Sequence, residues 1–510
     1  MISSLRLQLN KRLAFPVQQA WFLPLLSLLA GALTVLAFAP FDQVWIIYPA
    51  MALLFYLWSL ASAGKALLYG WLFGVGMQCA GVSWIYFSLH YHGGSPPLFA
   101  VLLIFFLSAY LSIYTALAGY VVNRFCQTGT ALKLLLLYPL SWALFEWLQG
   151  IVLTGFSWLQ LGYTQIDLPL SGFAPLIGSH GVGLLLAISS GALVLMLIDA
   201  GWRKKALLLL TVIWLIGFLF KQISWTEATG DEINVVIVQG NIPQSVKWKP
   251  ESRSPTLQRY QQLSMGHDDA DLIIWPETAL PGYQHNMKNY LDDLSRSMKT
   301  TDTDLLAGVF IKDQESGRYY NSLINVHGGE YRKRHLVPLG EYVPMRSLID
   351  FFNHFVQIPM SDIASGAYDQ PLLHAAGQPL GVSICFEDAF ARDVRRDLPQ
   401  ATLLVNVSND AWFDGSFEPF QHHAIARMRA LESGRFMLRA TNTGISSVIG
   451  PKGEEMAVSP QFETHVLKAR VQPMKGATPY VFWGDLVLVL GSLAVLCGFA
   501  LRTRRRRVSV

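Results

Sequence analysis

Hydrophobic and polar positions divide this chain of 510 residues into three stretches. Up to residue 221 the apolar positions form long runs, near 21–39, 44–62, 66–89, 98–122, 132–150, 174–199 and 206–221, and an eighth run occupies 481–501. A helix needs about 20 mostly apolar residues to cross the hydrocarbon core of a bilayer. The pattern therefore predicts a polytopic α-helical membrane protein with eight transmembrane helices, seven before a polar middle and one after it. The fifth run is the weakest, because Pro139, Glu146 and Gln149 interrupt it. Gly74, Gly76 and Gly81 are expected to let helix backbones pack closely, as small residues do in membranes, rather than to cradle a phosphate.

From 222 to 480 the pattern changes. Short β-rich runs recur at 233–239, 272–275, 305–310, 380–385, 403–407 and 446–449, with helical stretches at 251–265 and 422–432 between them. Strands alternating with helices predict an α/β domain. The expected organisation is a membrane domain over 1–221, an α/β domain over 222–480, and an eighth helix with a basic tail over 481–510.

Loop charges orient this arrangement. Arg6, Lys11 and Arg12 precede the first run; Lys65, Arg124, Lys133 and Arg203 to Lys205 fill every second loop; Arg502 and Arg504 to Arg507 close the chain. The alternate loops, 40–43, 90–97 and 151–172, contain no Lys or Arg. Both termini are thus expected in the cytoplasm and the 222–480 domain outside. The N-terminus imitates a signal peptide up to Ala37-Phe38-Ala39, but Pro40 disfavours cleavage there and further spans follow, so a retained first helix is expected.

Composition agrees. The chain is 52% hydrophobic and 15% charged with mean hydropathy +0.34, against about 25% charged residues in ordinary soluble domains. Fifteen Trp, 19 Tyr and 29 Phe exclude a disordered chain or a coiled coil. The net charge of +4 is a sum over unlike parts: 24 Lys/Arg against 30 Asp/Glu in the middle, and 15 against 5 in the two ends. A nucleic-acid binder would place a basic patch on its polar domain. This chain does the opposite.

Of four cysteines, only Cys385 lies in the polar middle, which excludes a disulfide within that region, and no CxxC motif exists. Cys385 closes the apolar run from Pro379 and is followed by Phe386, Glu387 and Asp388. Taken alone, that position fits a nucleophile at a strand end or a buried structural thiol. A second run, Leu272-Ile-Ile-Trp-Pro-Glu277, ends in a carboxylate, and a third segment, Tyr331-Arg-Lys-Arg-His-Leu-Val-Pro-Leu-Gly-Glu341, is basic before it turns. A thiol nucleophile needs a base, and a carboxylate serves only where a dry pocket raises its pKa. An oxyanion needs a fixed positive charge or donors. Glu, Lys and Cys could supply all three, although spacing alone does not bring them together.

These segments, with Val238-Gln-Gly-Asn-Ile-Pro-Gln244, His335-Leu-Val-Pro338 and Asn406-Val-Ser-Asn-Asp-Ala-Trp-Phe413, resemble the nitrilase (carbon–nitrogen hydrolase) superfamily and, within it, the apolipoprotein N-acyltransferases of bacterial lipoprotein maturation. The resemblance covers nearly the whole chain. It implies an extracytoplasmic nitrilase-like αββα sandwich on a bacterial inner membrane, with Glu277 as base, Lys333 at the oxyanion and Cys385 as nucleophile. It implies ping-pong transfer of the sn-1 acyl chain of a phospholipid, phosphatidylethanolamine above all, through a thioester to the α-amino group of an apolipoprotein's diacylglyceryl-cysteine. Glu341 and Glu387 match supporting acidic positions and Trp248 a residue near the substrate entrance; Phe386 departs from a Tyr found in some members. No cofactor and no metal are implied.

A thioester awaiting an amine must avoid water, so 348–360 is a candidate lid or bilayer-dipping arm, if not an ordinary buried helix, and Trp412 to Phe417 a second candidate cover. His422 and His423 are read as surface or packing residues, since neighbours on a helix diverge and no ligand cluster accompanies them. Glu146 is either functional within its span or near the outer interface. Arg427, Arg429, Arg435 and Arg439 are expected to form ion pairs within the domain. Two other activities compete: a membrane-tethered amidase, which shares the triad but leaves eight spans unexplained, and a transporter, for which the spans hold too few charges.

Overall fold

The computed structural model describes residues 21–338, 340–342 and 363–508. The candidate lid at 348–360 lies outside the described residues, as do Arg6, Lys11 and Arg12. Helices occupy the predicted apolar runs: α1 (Phe22–Leu33), α2 (Ile47–Leu60), α3 (Ala63–Gly81), α4 (Pro97–Phe125), α5 (Tyr138–Gln149), α6 (Ala174–Ile198), α7 (Arg203–Gln222), and a last one over Leu486–Val508.

Length separates these helices into two groups. Among the described residues, the segments Pro97–Phe125, Thr130–Gln149, Pro169–Ile198, Ala200–Gln222 and Leu486–Arg506 are long and apolar enough to cross a membrane. α3 and Ile85–His92 reach that length and hydropathy only together, as a pair bent by 59° at the break between them. The first two runs give shorter helices, Phe22–Ala37 and Val44–Leu60. Pro40 disfavours helix in the residue before it, and Asp42 adopts a left-handed φ of 52°, so the chain turns between them.

The glycines of α3 act in packing, as expected. A Cβ at Gly74 would stand 2.8 Å from the Ser112 Cβ of α4, and one at Gly76 would strike the Leu28 carbonyl of α1. Glu146 is part-buried on α5, and its Oε1 accepts the Trp142 Nε1–H (3.3 Å) and the Leu161 N–H (3.0 Å). It thereby anchors the loop that runs back over the polar domain.

Two six-stranded sheets build the middle of the chain. The first has the order β13-β2-β3-β4-β5-β6, from β2 (Ile233–Gln239), β3 (Leu272–Ile274), β4 (Asp304–Lys312), β5 (Tyr319–Asn325), β6 (Glu330–Arg332) and β13 (His465–Val471). The second has the order β12-β11-β10-β9-β8-β7, from β7 (Leu373–Ala375), β8 (Gln378–Ile384), β9 (Leu403–Ser408), β10 (Met437–Thr441), β11 (Ser447–Ile449) and β12 (Glu455–Val458). A two-stranded ribbon, β1 (Glu227–Ala228) with β14 (Met474–Lys475), stands apart. Each large sheet has three parallel central strands, β2-β3-β4 and β8-β9-β10, flanked by antiparallel ones.

Strands buried on both faces read as near-continuous apolar runs, and β2 displays this well. Its Ile233, Val235 and Ile237 enter the core between the sheets with Val382, Ile384, Val405 and Leu438. Its Val236 and Val238 face the other way, toward helices α8 (Arg253–Ser264) and α9 (Lys288–Lys299) through Tyr260, Leu291 and Leu294. On the far side, α10 (Glu418–Ser433) covers the second sheet with Ala426 and Ala430. The result is the expected α-β-β-α sandwich. The opposite flank of α10, Ile425, Met428 and Leu431, joins the core of the membrane helices.

The loops without Lys or Arg gather at this contact. Phe41 meets Phe417 (centroids 5.9 Å), His92 Nε2 meets Asp414 Oδ2 (3.2 Å), and Trp158 stacks on Phe386 (5.9 Å). The basic loops meet elsewhere, where Lys133 Nζ donates to Asn123 Oδ1 (3.2 Å) and Gln127 N to Thr503 Oγ1 (3.0 Å).

The Gly76→Ala variant is expected to lose about 1–3 kcal/mol through overpacking, read as a lower thermal-unfolding midpoint in detergent. Gly64→Ala, where a Cβ meets nothing within 4 Å, should not lower it. Equal midpoints would refute the contact between α1 and α3.

Candidate active site

Ligands of open α/β sheets bind beyond the carboxyl ends of parallel strands, and the candidate residues lie there. Beyond β3, Trp275 is buried and anchored by Nε1 to Ser264 Oγ (2.8 Å), and Glu277 follows. The next residue, Thr278, has a left-handed φ of 48°. Gly308 of β4 makes room for this turn: a Cβ there would stand 2.5 Å from the Pro276 carbonyl oxygen and 2.7 Å from the Glu277 Cα. Glu277 Oε1 accepts the Asn321 side-chain N–H (2.7 Å).

Lys333 follows β6 and is 1% exposed. Its main-chain N–H donates to the Asn321 carbonyl (2.8 Å), and its Nζ lies 2.9 Å from Glu341 and 3.9 Å from Glu277 Oε1. Glu341 also accepts from Val337 N (2.9 Å) and Asn321 Nδ2 (3.2 Å). The ammonium thus sits between two carboxylates, both bound to one amide.

Cys385 departs slightly from the expected strand end. β8 stops at Ile384, and Cys385 takes a left-handed φ of 54°, a conformation that costs a non-glycine residue about 1–3 kcal/mol. Glu387 compensates. Its buried carboxylate accepts main-chain N–H groups from Ile384 (2.7 Å), Arg334 (2.6 Å) and His335 (2.9 Å), and the Tyr331 hydroxyl (3.0 Å). It binds the Lys333 segment to the Cys385 turn.

These residues share one cavity of about 150 Å³, lined by Glu277, Lys333, Glu341 and Cys385 together with Asn321 and Trp248. Trp248 packs on Phe310 at 5.7 Å. Part of the wall is membrane-side chain, Ser88, Leu89 and Gly93 in the short helical segment beyond the bend after α3 and at its end, and Trp412 and Phe413 of the second candidate cover join it. Phe413 meets Trp84 edge-on at 4.9 Å.

Burial pushes the Cys385 thiol up to about 12, with the Glu277 charge adding to the rise and Lys333 and His422 opposing it. Burial also raises Glu277, against Lys333. Burial would strip Lys333 of its proton, but Glu341, Cys385 and Glu277 reverse this and keep it charged. Burial lifts Glu387 to about 7, against the pull of Lys333 and its main-chain donors. The resting site therefore holds a protonated thiol beside a carboxylate of raised basicity and a permanent cation.

Several participants escaped the sequence reading. Asn321 bridges Glu277 and Glu341; Lys247 is buried with Nζ 3.2 Å from the Glu277 carbonyl; and burial lowers it to about 7. His422 and His423 are buried rather than superficial, and the absence of a ligand cluster is overturned: Asp410, Glu418 and His422 offer atoms within 4.8 Å of one another. Arg439 occupies that cluster with Nη2 3.2 Å from Asp410, supplying positive charge where a metal would sit. The two histidines do diverge, His423 reaching Ser447 Oγ at 3.0 Å. Arg429 and Arg439 form the expected ion pairs, with Glu432 and with Asp388 and Asp410. Arg427 pairs within the domain with Glu455 (3.7 Å) and also outside it with Asp167 (Nη1 to Oδ2, 3.2 Å), whereas Arg435 donates only to carbonyls, including Ala401 (2.8 Å) and Gly476 (2.6 Å).

A paired-sheet sandwich with a carboxylate, an ammonium and a thiol at its strand ends defines the class: residues 234–480 match the family model Carbon-nitrogen hydrolase. Residues 30–192 match a second family model, Apolipoprotein N-acyltransferase N-terminal domain. Relatives named apolipoprotein N-acyltransferase span the chain: one from Methylococcus capsulatus is 44% identical, covering 95% of this chain and 97% of the relative. One from Nitrosomonas europaea is 41% identical (92% and 96% covered), and one from Vibrio cholerae 38% (95% and 97%). The chain belongs to the apolipoprotein N-acyltransferase family and is an acyltransferase.

Gly308→Ala would displace the Glu277 turn while leaving the sandwich core untouched. Acyl-transfer activity is expected to fall at least about tenfold, the equivalent of 1.4 kcal/mol, with an unchanged far-UV spectrum. Full activity would show that the turn tolerates the methyl group.

Proposed function

We propose that this chain transfers the sn-1 acyl chain of a phospholipid, phosphatidylethanolamine in the first instance, to the α-amino group of the diacylglyceryl-cysteine at the start of an apolipoprotein. The observation that carries this reading is the cavity itself, where Glu277, Lys333 and Cys385 meet under walls contributed by membrane-side chain. In the first half-reaction Glu277 takes the Cys385 proton and the thiolate attacks the ester carbonyl. The Lys333 ammonium faces the oxyanion of the tetrahedral intermediate. As the C–O bond breaks, Glu277 returns the proton to the glycerol oxygen, and a lysophospholipid leaves a Cys385 thioester.

In the second half-reaction the neutral amine attacks the thioester carbonyl and gives a proton to Glu277. Collapse breaks the C–S bond, the proton returns to sulfur, and an amide has formed. Glu341 and Asn321 hold Lys333 and Glu277 apart at a fixed spacing, Glu387 braces the nucleophile turn, and Trp248 lines the approach. The chemistry needs neither metal nor cofactor.

The accompanying topology has residues 1–221 and 481–510 in a bacterial inner membrane, both termini cytoplasmic, and 222–480 on the periplasmic side. Its support is the gathering of the Lys/Arg-free loops at the sandwich and of the basic loops away from it.

Incubation of the purified protein with phosphatidylethanolamine should yield an acyl adduct on Cys385 by mass spectrometry. It should be absent in Cys385→Ala and discharged by a diacylglyceryl peptide with a free amine. Active enzyme without an adduct would defeat the covalent route. A charge in the cover should admit water: Phe413→Asp is expected to release free fatty acid at the expense of transfer, and an unchanged product ratio would remove Phe413 from that role.

A further inference from the structure

Against the main chain of Cys385 lies a closed cluster of charges that the mechanism above leaves unused. His422 of α10 is 1% exposed, and its Nε2 lies 2.9 Å from Asp388 Oδ1 and 3.3 Å from the Cys385 carbonyl oxygen. Its Nδ1 faces Glu418 at 3.4 Å and Asp410 at 3.5 Å. Arg439, from β10, reaches Asp388 (3.4 Å), Asp410 (3.2 Å) and the Asn406 side-chain oxygen (2.7 Å). The Asn406 Nδ2 in turn donates to the same Cys385 carbonyl (3.2 Å).

We propose that His422 is a positioning residue for the nucleophile: its imidazolium grips the carbonyl of the left-handed Cys385, and its charge stabilises the thiolate as it forms. The inference rests on Cys385 being the nucleophile. Two donors converge on one carbonyl: the His422 Nε2–H, shared with Asp388 while Nδ1 faces Glu418 and Asp410, and the Asn406 amide, whose oxygen accepts from Arg439. That carbonyl belongs to the residue whose backbone is strained, so releasing a donor lets the turn relax and the sulfur move.

His422 is charged because of what surrounds it. Burial and Arg439 both favour the neutral ring, but Asp388 after β8 and Asp410 after β9 outweigh them and hold the proton; Glu418 on α10, which burial and Asp410 lift to about 7, faces the same ring. Trp158 lies over the imidazole (centroids 5.4 Å) and stacks on Phe386. The charge therefore acts through a poorly polarisable medium, where electrostatic reach is greatest. The acidic cluster thus keeps one imidazolium in place, and Arg439 bridges Asp388 and Asp410 behind it. His423 is a natural control: adjacent and equally enclosed, it faces Ser447, and burial lowers it to about 3, so it is neutral.

The test is the rate of Cys385 alkylation by iodoacetamide as a function of pH in the full-length protein, read by mass spectrometry on the Cys385 peptide. His422→Gln, which can donate but carries no charge, should slow alkylation at fixed pH about tenfold, a shift of one pH unit. Acyl transfer should lose kcat with an unchanged KM for phospholipid, while His423→Gln leaves the alkylation profile in place. Should the Gln variant not fold, His422→Lys restores the cation without the ring, and a wild-type profile would support the proposal. A folded His422→Gln protein that alkylates like the wild type, or a His422→Lys protein shifted upward, overturns it. Acyl transfer surviving Cys385→Ala would instead overturn the nucleophile assignment, an outcome separate from either.

Discussion

The geometry of the site depends on one buried carboxylate. Glu387 accepts three main-chain N–H groups, two from the segment that carries Lys333 and one from the strand that ends at Cys385. Hydrogen bonds to a charged group contribute about 1.5–3 kcal/mol each, enough together to offset a left-handed cysteine. The ammonium and the thiol therefore keep their separation because a third residue, which touches neither reacting atom, is bound to both of their backbones.

Charge placement follows the same logic. The cavity has more acid than base, so the thiol rests protonated and the cation never lets go of its proton. Transfer of a proton from sulfur to Glu277 changes no net charge within the enclosure. That matters in a space of about 150 Å³, where creating an uncompensated charge is costly and moving one is cheap.

Much of the scaffold was legible in the chain. Six β-rich runs were visible as strands because they are buried on both faces and so lack polar interruptions; the structure has them as β2, β3, β4, β8, β9 and β11. Others were hidden: β10 carries the fully buried Arg439, and β13 alternates at a sheet edge, so neither resembles an apolar run. The candidate triad was visible as two strand ends and one basic segment, but the polar residues around it were not. Asn321, Asn406 and His422 are polar residues in buried positions, and nothing in a linear pattern reveals which carbonyl or carboxylate each one meets. The bend after α3 was equally hidden, since hydropathy measures the length of a run and not its direction.

Helix α10 has apolar contacts on two sides, with Ala426 and Ala430 against the second sheet and Ile425, Met428 and Leu431 against the membrane helices. The cavity is similarly shared, its wall including Ser88, Leu89 and Gly93. The boundary drawn by the two family models is therefore not a physical seam. A fragment holding only the sandwich would carry the greasy flank of α10 with nothing to rest on and a cavity missing one of its sides, both opened to water.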